Sequence, residues 1–193
     1  MTQLYPEPRV FTPRIFYQHT VKAFRAFPLL LRSQRKGLIT KAFQERIMLG
    51  VTEVNGCKYC NYFHTRLAMK EGISKAEIRA MRTGKNTDLP EDEAMAFMYA
   101  QHYADTGGKP DPENRDRLIS NYGEEKARSI EASIKVIMVG NIYGIAVDGL
   151  IRRFRGKNMK DSKLSYELGI TFGSLLMFPA ALLQGLFSSL VAS

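Results

Sequence analysis

Glu45-Arg46-Ile47-Met48-Leu49-Gly50-Val51-Thr52-Glu53-Val54-Asn55-Gly56-Cys57-Lys58-Tyr59-Cys60-Asn61-Tyr62-Phe63-His64 holds both cysteines of this 193-residue chain. Its first part is helical in pattern, with Phe43, Ile47, Met48 and Val51 on one stripe and Thr40 as an N-cap before it. Asn55-Gly56 interrupts that helix. A second one then carries Tyr59, Phe63 and Leu67 at four-residue spacing and stops at Gly72. On this reading Asn55 caps the second helix and Cys57 lies in its first turn. Unpaired backbone N–H groups and the helix dipole favour a thiolate there.

Cys60 and His64 stand at i+3 and i+7 from Cys57. Helical geometry places all three on one face without help from tertiary structure. Two thiols this close are a poor structural staple, because the loop they close is tiny. They are well placed for redox cycling: the second thiol is always within reach of a sulfenic acid or mixed disulfide on the first. A histidine one turn away can accept or return the proton. Two other readings stay open at this point. His64 can be a satisfied core histidine, and the two cysteines with His64 can hold zinc if His19, His102 or Glu45 supplies a fourth ligand.

Outward from this centre the chain reads as all-α. Pro6, Pro8 and Pro13 mark residues 1–14 as an extended arm. A helix follows from Ile15, which Pro28 is expected to kink or divide. Ser74 with Glu77 forms a capping-box pattern, and that short helix ends near Thr83-Gly84. Thr87-Asp88-Leu89-Pro90, followed by Glu91, Asp92 and Glu93, opens another helix. After a break at Asn121-Tyr122-Gly123 a long apolar helix runs from about Glu124 to Phe154, through Ile130, Ile134, Met138 and Ile145. The expected organisation is an arm over 1–14, a helical domain over 15–160 and an apolar helical appendage over 161–193.

The formal net charge is +9. Arg152, Arg153, Arg155, Lys157, Lys160 and Lys163 form the densest basic stretch. No nucleic-acid motif accompanies it, so a solvated basic face is expected and no nucleic-acid partner. Beyond it, Leu168 to Ser193 carries no charged residue. That run is long enough to span or lie on a bilayer. Pro179 and several Ser and Gly residues favour instead a broken helix pair that covers a core or a subunit interface.

The quoted stretch resembles the signature of the alkylhydroperoxidase D-like (AhpD-like) proteins, the carboxymuconolactone decarboxylase-type family. The pattern is a glutamate, an apolar run, Asn-Gly-Cys-x-Tyr-Cys and then a histidine. The resemblance is close over about residues 37–80, including the turn at Gly72-Ile73-Ser74. Asn141 falls where a family asparagine often sits. The resemblance implies a helical bundle and assembly as a homo-oligomer, a trimer or hexamer. It implies a redox pair at Cys57 and Cys60 beside a proton relay of Glu45 and His64. In family terms Cys60 attacks the peroxide, and Cys57 resolves it and meets the reductant. The implied activity is reduction of peroxides or disulfides with an unidentified dithiol donor, with no cofactor and no metal. Some peroxidase members carry a histidine just before the second cysteine; here that residue is Tyr59. Cysteine usage of this kind fits a cytoplasmic protein, with 168–193 available for attachment at the membrane periphery. The alternative is a redox-sensing, or ligand- or membrane-binding, helical oligomer that turns nothing over.

Overall fold

A computed structural model describes residues 7–83 and 89–191, with side chains through Phe187. These residues form eight helices and no strand: α1 (Pro13–Lys36), α2 (Lys41–Asn55), α3 (Lys58–Lys70), α4 (Lys75–Arg82), α5 (Glu91–Asp105), α6 (Pro112–Phe154), α7 (Leu164–Thr171) and α8 (Ser174–Val191). The all-α reading holds.

The helix boundaries follow local chemistry. Thr40 Oγ1 accepts from the Phe43 N–H at 3.0 Å, and Ser74 Oγ accepts from the Glu77 N–H at 3.1 Å. The Glu77 carboxylate pairs with Arg46 Nε at 2.6 Å, which ties α4 to α2. Arg46 also reaches Glu93 at 3.0 Å, so one guanidinium pins α2 to both α4 and α5. Gly37 and Gly56 end α1 and α2 in the left-handed region, which costs glycine nothing. The sequence break at Gly123 is present as a non-helical residue (φ 73°, ψ 158°) inside α6.

Three expectations are corrected. The arm is shorter than 1–14: Thr12 is the N-cap of α1 and Pro13 its first residue, a position where the missing N–H is harmless. Pro28 does not divide the helix but lies inside α1. The C-terminal break falls at Phe172-Gly173, with a 56° bend between α7 and α8, whereas Pro179 lies inside α8. At Gly173 any Cβ would run into the Gly169 carbonyl, so only glycine fits the bend. Residues 1–6 of the expected arm, Gly84, and Thr87 and Asp88 of the expected helix start lie outside the described residues. Pro90 caps α5 without a side-chain hydrogen bond.

The core has three adjoining parts. Phe43, Ile47, Val51, Tyr99, Ile130 and Met138 join α2, α5 and α6. Leu49, Ala68, Ile78 and Phe97 join α2, α3, α4 and α5. The third gathers Phe11 of the arm, Phe16 of α1, Cys57, Ile142 and Ile145 of α6 and Ile170 of α7. α6 is apolar and long enough to cross a bilayer, but more than half of that stretch is buried in the fold, as a central helix would be. α8 lies along α1: Tyr17 Oη donates to Gln184 Oε1 at 2.6 Å, and Phe178 stacks edge-on against Phe16 and Phe24.

Candidate active site

Cys57 and Cys60 form a disulfide at the start of α3. Their placement differs from the simple helix reading. Asn55 is the last residue of α2 and Gly56 its left-handed cap; Cys57 is then the N-cap of α3, and its Sγ accepts from the Cys60 N–H at 3.3 Å. A cysteine thus takes the role usually filled by Ser, Thr or Asp. Asn55 points inward, fully buried, with Nδ2 3.2 Å from Met138 Sδ. Its backbone carbonyl accepts from the Arg9 N–H at 3.0 Å.

The two sulfurs differ in access. Cys57 is 2% exposed and belongs to the core, whereas Cys60 is half-buried. Behind them passes α6. Cys60 Sγ lies 3.5 Å from the Gly140 carbonyl oxygen. At Gly144, one turn on, a Cβ would stand 2.8 Å from Cys57 Sγ and 3.1 Å from Cys60 Sγ. α6 reaches the disulfide this closely because position 144 has no side chain.

Glu45 comes from α2 and His64 from α3. Glu45 Oε2 lies 2.7 Å from His64 Nδ1, and both side chains are largely shielded from solvent. The contact orients the ring, with Nδ1 turned to the carboxylate and Nε2 on its far side. Phe63 packs edge-on against the same ring. On the other flank Thr52 Oγ1 meets Asn141 Oδ1 at 3.1 Å, with Asn141 fully buried. Glu53 receives Asn61 Nδ2 at 3.4 Å, and its burial pushes its carboxyl above the ordinary range against the pull of Arg82.

His19 and His102, the other ligands considered for zinc, lie with different neighbours. His19 sits against Gly108, and His102 Nε2 contacts Asp111 and Asn114. The arm contributes what the sequence did not reveal. Arg9 bonds the Ala104 and Asp105 carbonyls at 3.0 Å and pairs with the Asp105 carboxylate, and Phe11 packs into the same core cluster as Cys57. Gly144 likewise carried no signal beyond being a helix-interior glycine.

The described residues thus form an all-α bundle with a Cys-x-x-Cys disulfide at the start of α3 and a Glu45–His64 pair joining α2 to α3. Residues 18–89, a segment that holds both cysteines, Glu45 and His64, match the model of the carboxymuconolactone decarboxylase family. No curated protein and no solved structure matches the chain at a significant level.

Proposed function

We propose that the protein is a thiol-dependent oxidoreductase that reduces peroxides, or small disulfides, through Cys57 and Cys60 with Glu45 and His64 as proton relay. The observation that carries this reading is the 2.7 Å Glu45–His64 contact on the two helices that flank a disulfide-forming pair. A structural disulfide has no use for an oriented, shielded acid–base pair one helical turn beyond its second cysteine, whereas thiol redox chemistry must move a proton at each step.

In the reduced enzyme the Cys60 thiolate attacks one peroxide oxygen. The O–O bond breaks, Cys60 becomes a sulfenic acid, and the departing alkoxide takes a proton from the His64 imidazolium to leave as alcohol. The Cys57 sulfur then attacks Cys60 Sγ. The S–S bond forms and the sulfenic oxygen leaves as water, taking the proton that Cys57 gives up. A dithiol donor returns the two electrons by exchange and is itself oxidised to a disulfide. The burial of Cys57 favours Cys60 as the sulfur that meets the donor as well as the peroxide, in contrast to the family assignment. Cys57 would then be the leaving thiolate, stabilised by the Cys60 N–H and the α3 N-terminus.

The test is steady-state consumption of an organic hydroperoxide with dithiothreitol as donor, for wild type, Cys60→Ser and Cys57→Ser. Turnover in wild type and none in Cys60→Ser is expected. Undiminished turnover in Cys60→Ser, or none in wild type, would discard the reading.

A further inference from the structure

The strongest feature outside the thiol site is the outer face of α7 and α8. From Leu164 to Phe187 the only charged residue is Glu167. It is 1% exposed and held by Arg153 Nε at 2.7 Å, Arg153 Nη2 at 2.9 Å and Ser162 Oγ at 2.8 Å. The exposed surface of these helices is therefore uncharged. It is also strongly apolar: Leu175 is 75% and Leu176 78% exposed, and Phe172, Leu183 and Phe187 are more than half exposed. Single exposed leucines need no explanation, but a run of this kind on consecutive turns marks an interaction surface.

Its border is cationic. The segment that leads into α7 exposes Arg155, Lys157, Lys160 and Lys163, with Asp161 the one acidic residue among them. Apolar side chains stand at both ends of this run, Phe154 and Leu164, and both are exposed. Along the other side, α1 and α8 enclose a groove of about 440 Å³. It is lined by Phe24, Pro28, Leu29, Leu182 and Leu186, with Arg25 and Arg32 at its walls. Arg25 and Arg32 are exposed, and Arg32 lies close enough to Glu125 to act on its carboxylate.

We infer that this face docks the protein on an anionic phospholipid surface. α7 and α8 would lie in the interfacial layer, and Arg25, Arg32 and the 155–163 cations would meet the lipid phosphates. The charge pattern selects this occupant. An uncharged apolar face with a basic margin complements acyl chains under anionic headgroups. A second copy of the chain across a two-fold axis would bring the same cations against one another. The packing sets the orientation. α8 is held lengthwise on α1 through Tyr17–Gln184 and through Phe178 on Phe16 and Phe24, so it lies along the membrane plane instead of crossing it. This inference is independent of the redox reading.

The test is flotation of the full chain with phosphatidylcholine vesicles, with and without phosphatidylglycerol. Binding to the anionic vesicles, weakened by salt, is expected. Leu175→Gln with Leu176→Gln should abolish it while helical content by circular dichroism is unchanged, because neither side chain packs in the core. Arg25→Gln and Arg32→Gln should each weaken binding roughly five-fold on anionic vesicles only. Three outcomes would overturn the inference: no binding to either composition, equal binding to both, or a dimer that the leucine pair dissociates in a chain that floats with neither vesicle.

Discussion

Glu45 and His64, nineteen residues apart in sequence and on different helices, meet at 2.7 Å with both side chains shielded from water. If this pair acts as one relay, its members should not contribute independently. Glu45→Gln and His64→Asn are each expected to lower peroxide turnover by about a hundredfold, the usual worth of a positioned acid–base group. The double variant should be little worse than the poorer single one. Steady-state rates of the four proteins check this; fully multiplicative losses would show two separate roles.

A Cβ added at Gly144 would meet both sulfurs, whereas one added at Gly140 would meet only Ile137 Cδ1 at 3.7 Å. Alanine at a helix-interior glycine is normally worth about 1 kcal/mol. At position 140 that gain should be realised, and Gly140→Ala should raise Tm slightly. At position 144 the new methyl meets sulfur at 2.8 Å, and overpacking costs about 1–3 kcal/mol. Gly144→Ala is therefore expected to lose up to about 2 kcal/mol net, a Tm lower by up to about 8 °C for a chain of this size. Thermal melts of the two variants beside wild type decide it.

His19 is buried in α1, and burial together with the neighbouring Lys22 pushes its imidazole from 6.5 down to about 4. The folded protein thus holds this group neutral where the unfolded chain would protonate it. The unfolded state binds more protons between those values, so stability falls as pH drops from about 6.5 to about 4 and levels off below. The loss from this one group is on the order of 3 kcal/mol. His19→Asn should flatten that part of the profile in urea unfolding across the same pH range; an unchanged slope would assign it to other groups.

Glu167 behaves in the opposite sense. Its hydrogen bonds from Arg153, with Ser162 adding a further donor, hold its carboxyl below the ordinary 4.5. The folded pKa is depressed, so the stabilisation is present above about 4.5 and is lost as pH falls through the folded value. Glu167→Gln should cost about 1–3 kcal/mol at neutral pH, because Arg153 loses its charged partner. The gap to wild type should close in acid. Denaturant melts at neutral and acidic pH read both effects.

Much of the fold was legible because it depends on short-range rules. Thr40, Ser74 and Gly72 punctuate helices through hydrogen bonds and φ values within a few residues, and each acts where the sequence placed it. The same rules misread Asn55. Its side chain can cap the next helix, but burial against Met138 claimed it and Cys57 became the cap. Pro179 misled as well: the chain bends at Gly173, where the Gly169 carbonyl comes closer than any Cβ would allow.

By itself the sequence determined the helices, their order, and the spacing that sets Cys57 beside Cys60. These are consequences of backbone geometry and of side chains three and four apart. Tertiary structure alone decided that Glu45 reaches His64, that Gly144 and Gly140 of α6 back onto the disulfide, and that Arg9 and Phe11 pack the arm beside Cys57. It also decided which apolar residues of the C-terminal run are covered by α1 and which are left facing outward. Those contacts join residues far apart in the chain. Whether they form depends on how the helix faces pack against one another, which local spacing does not encode.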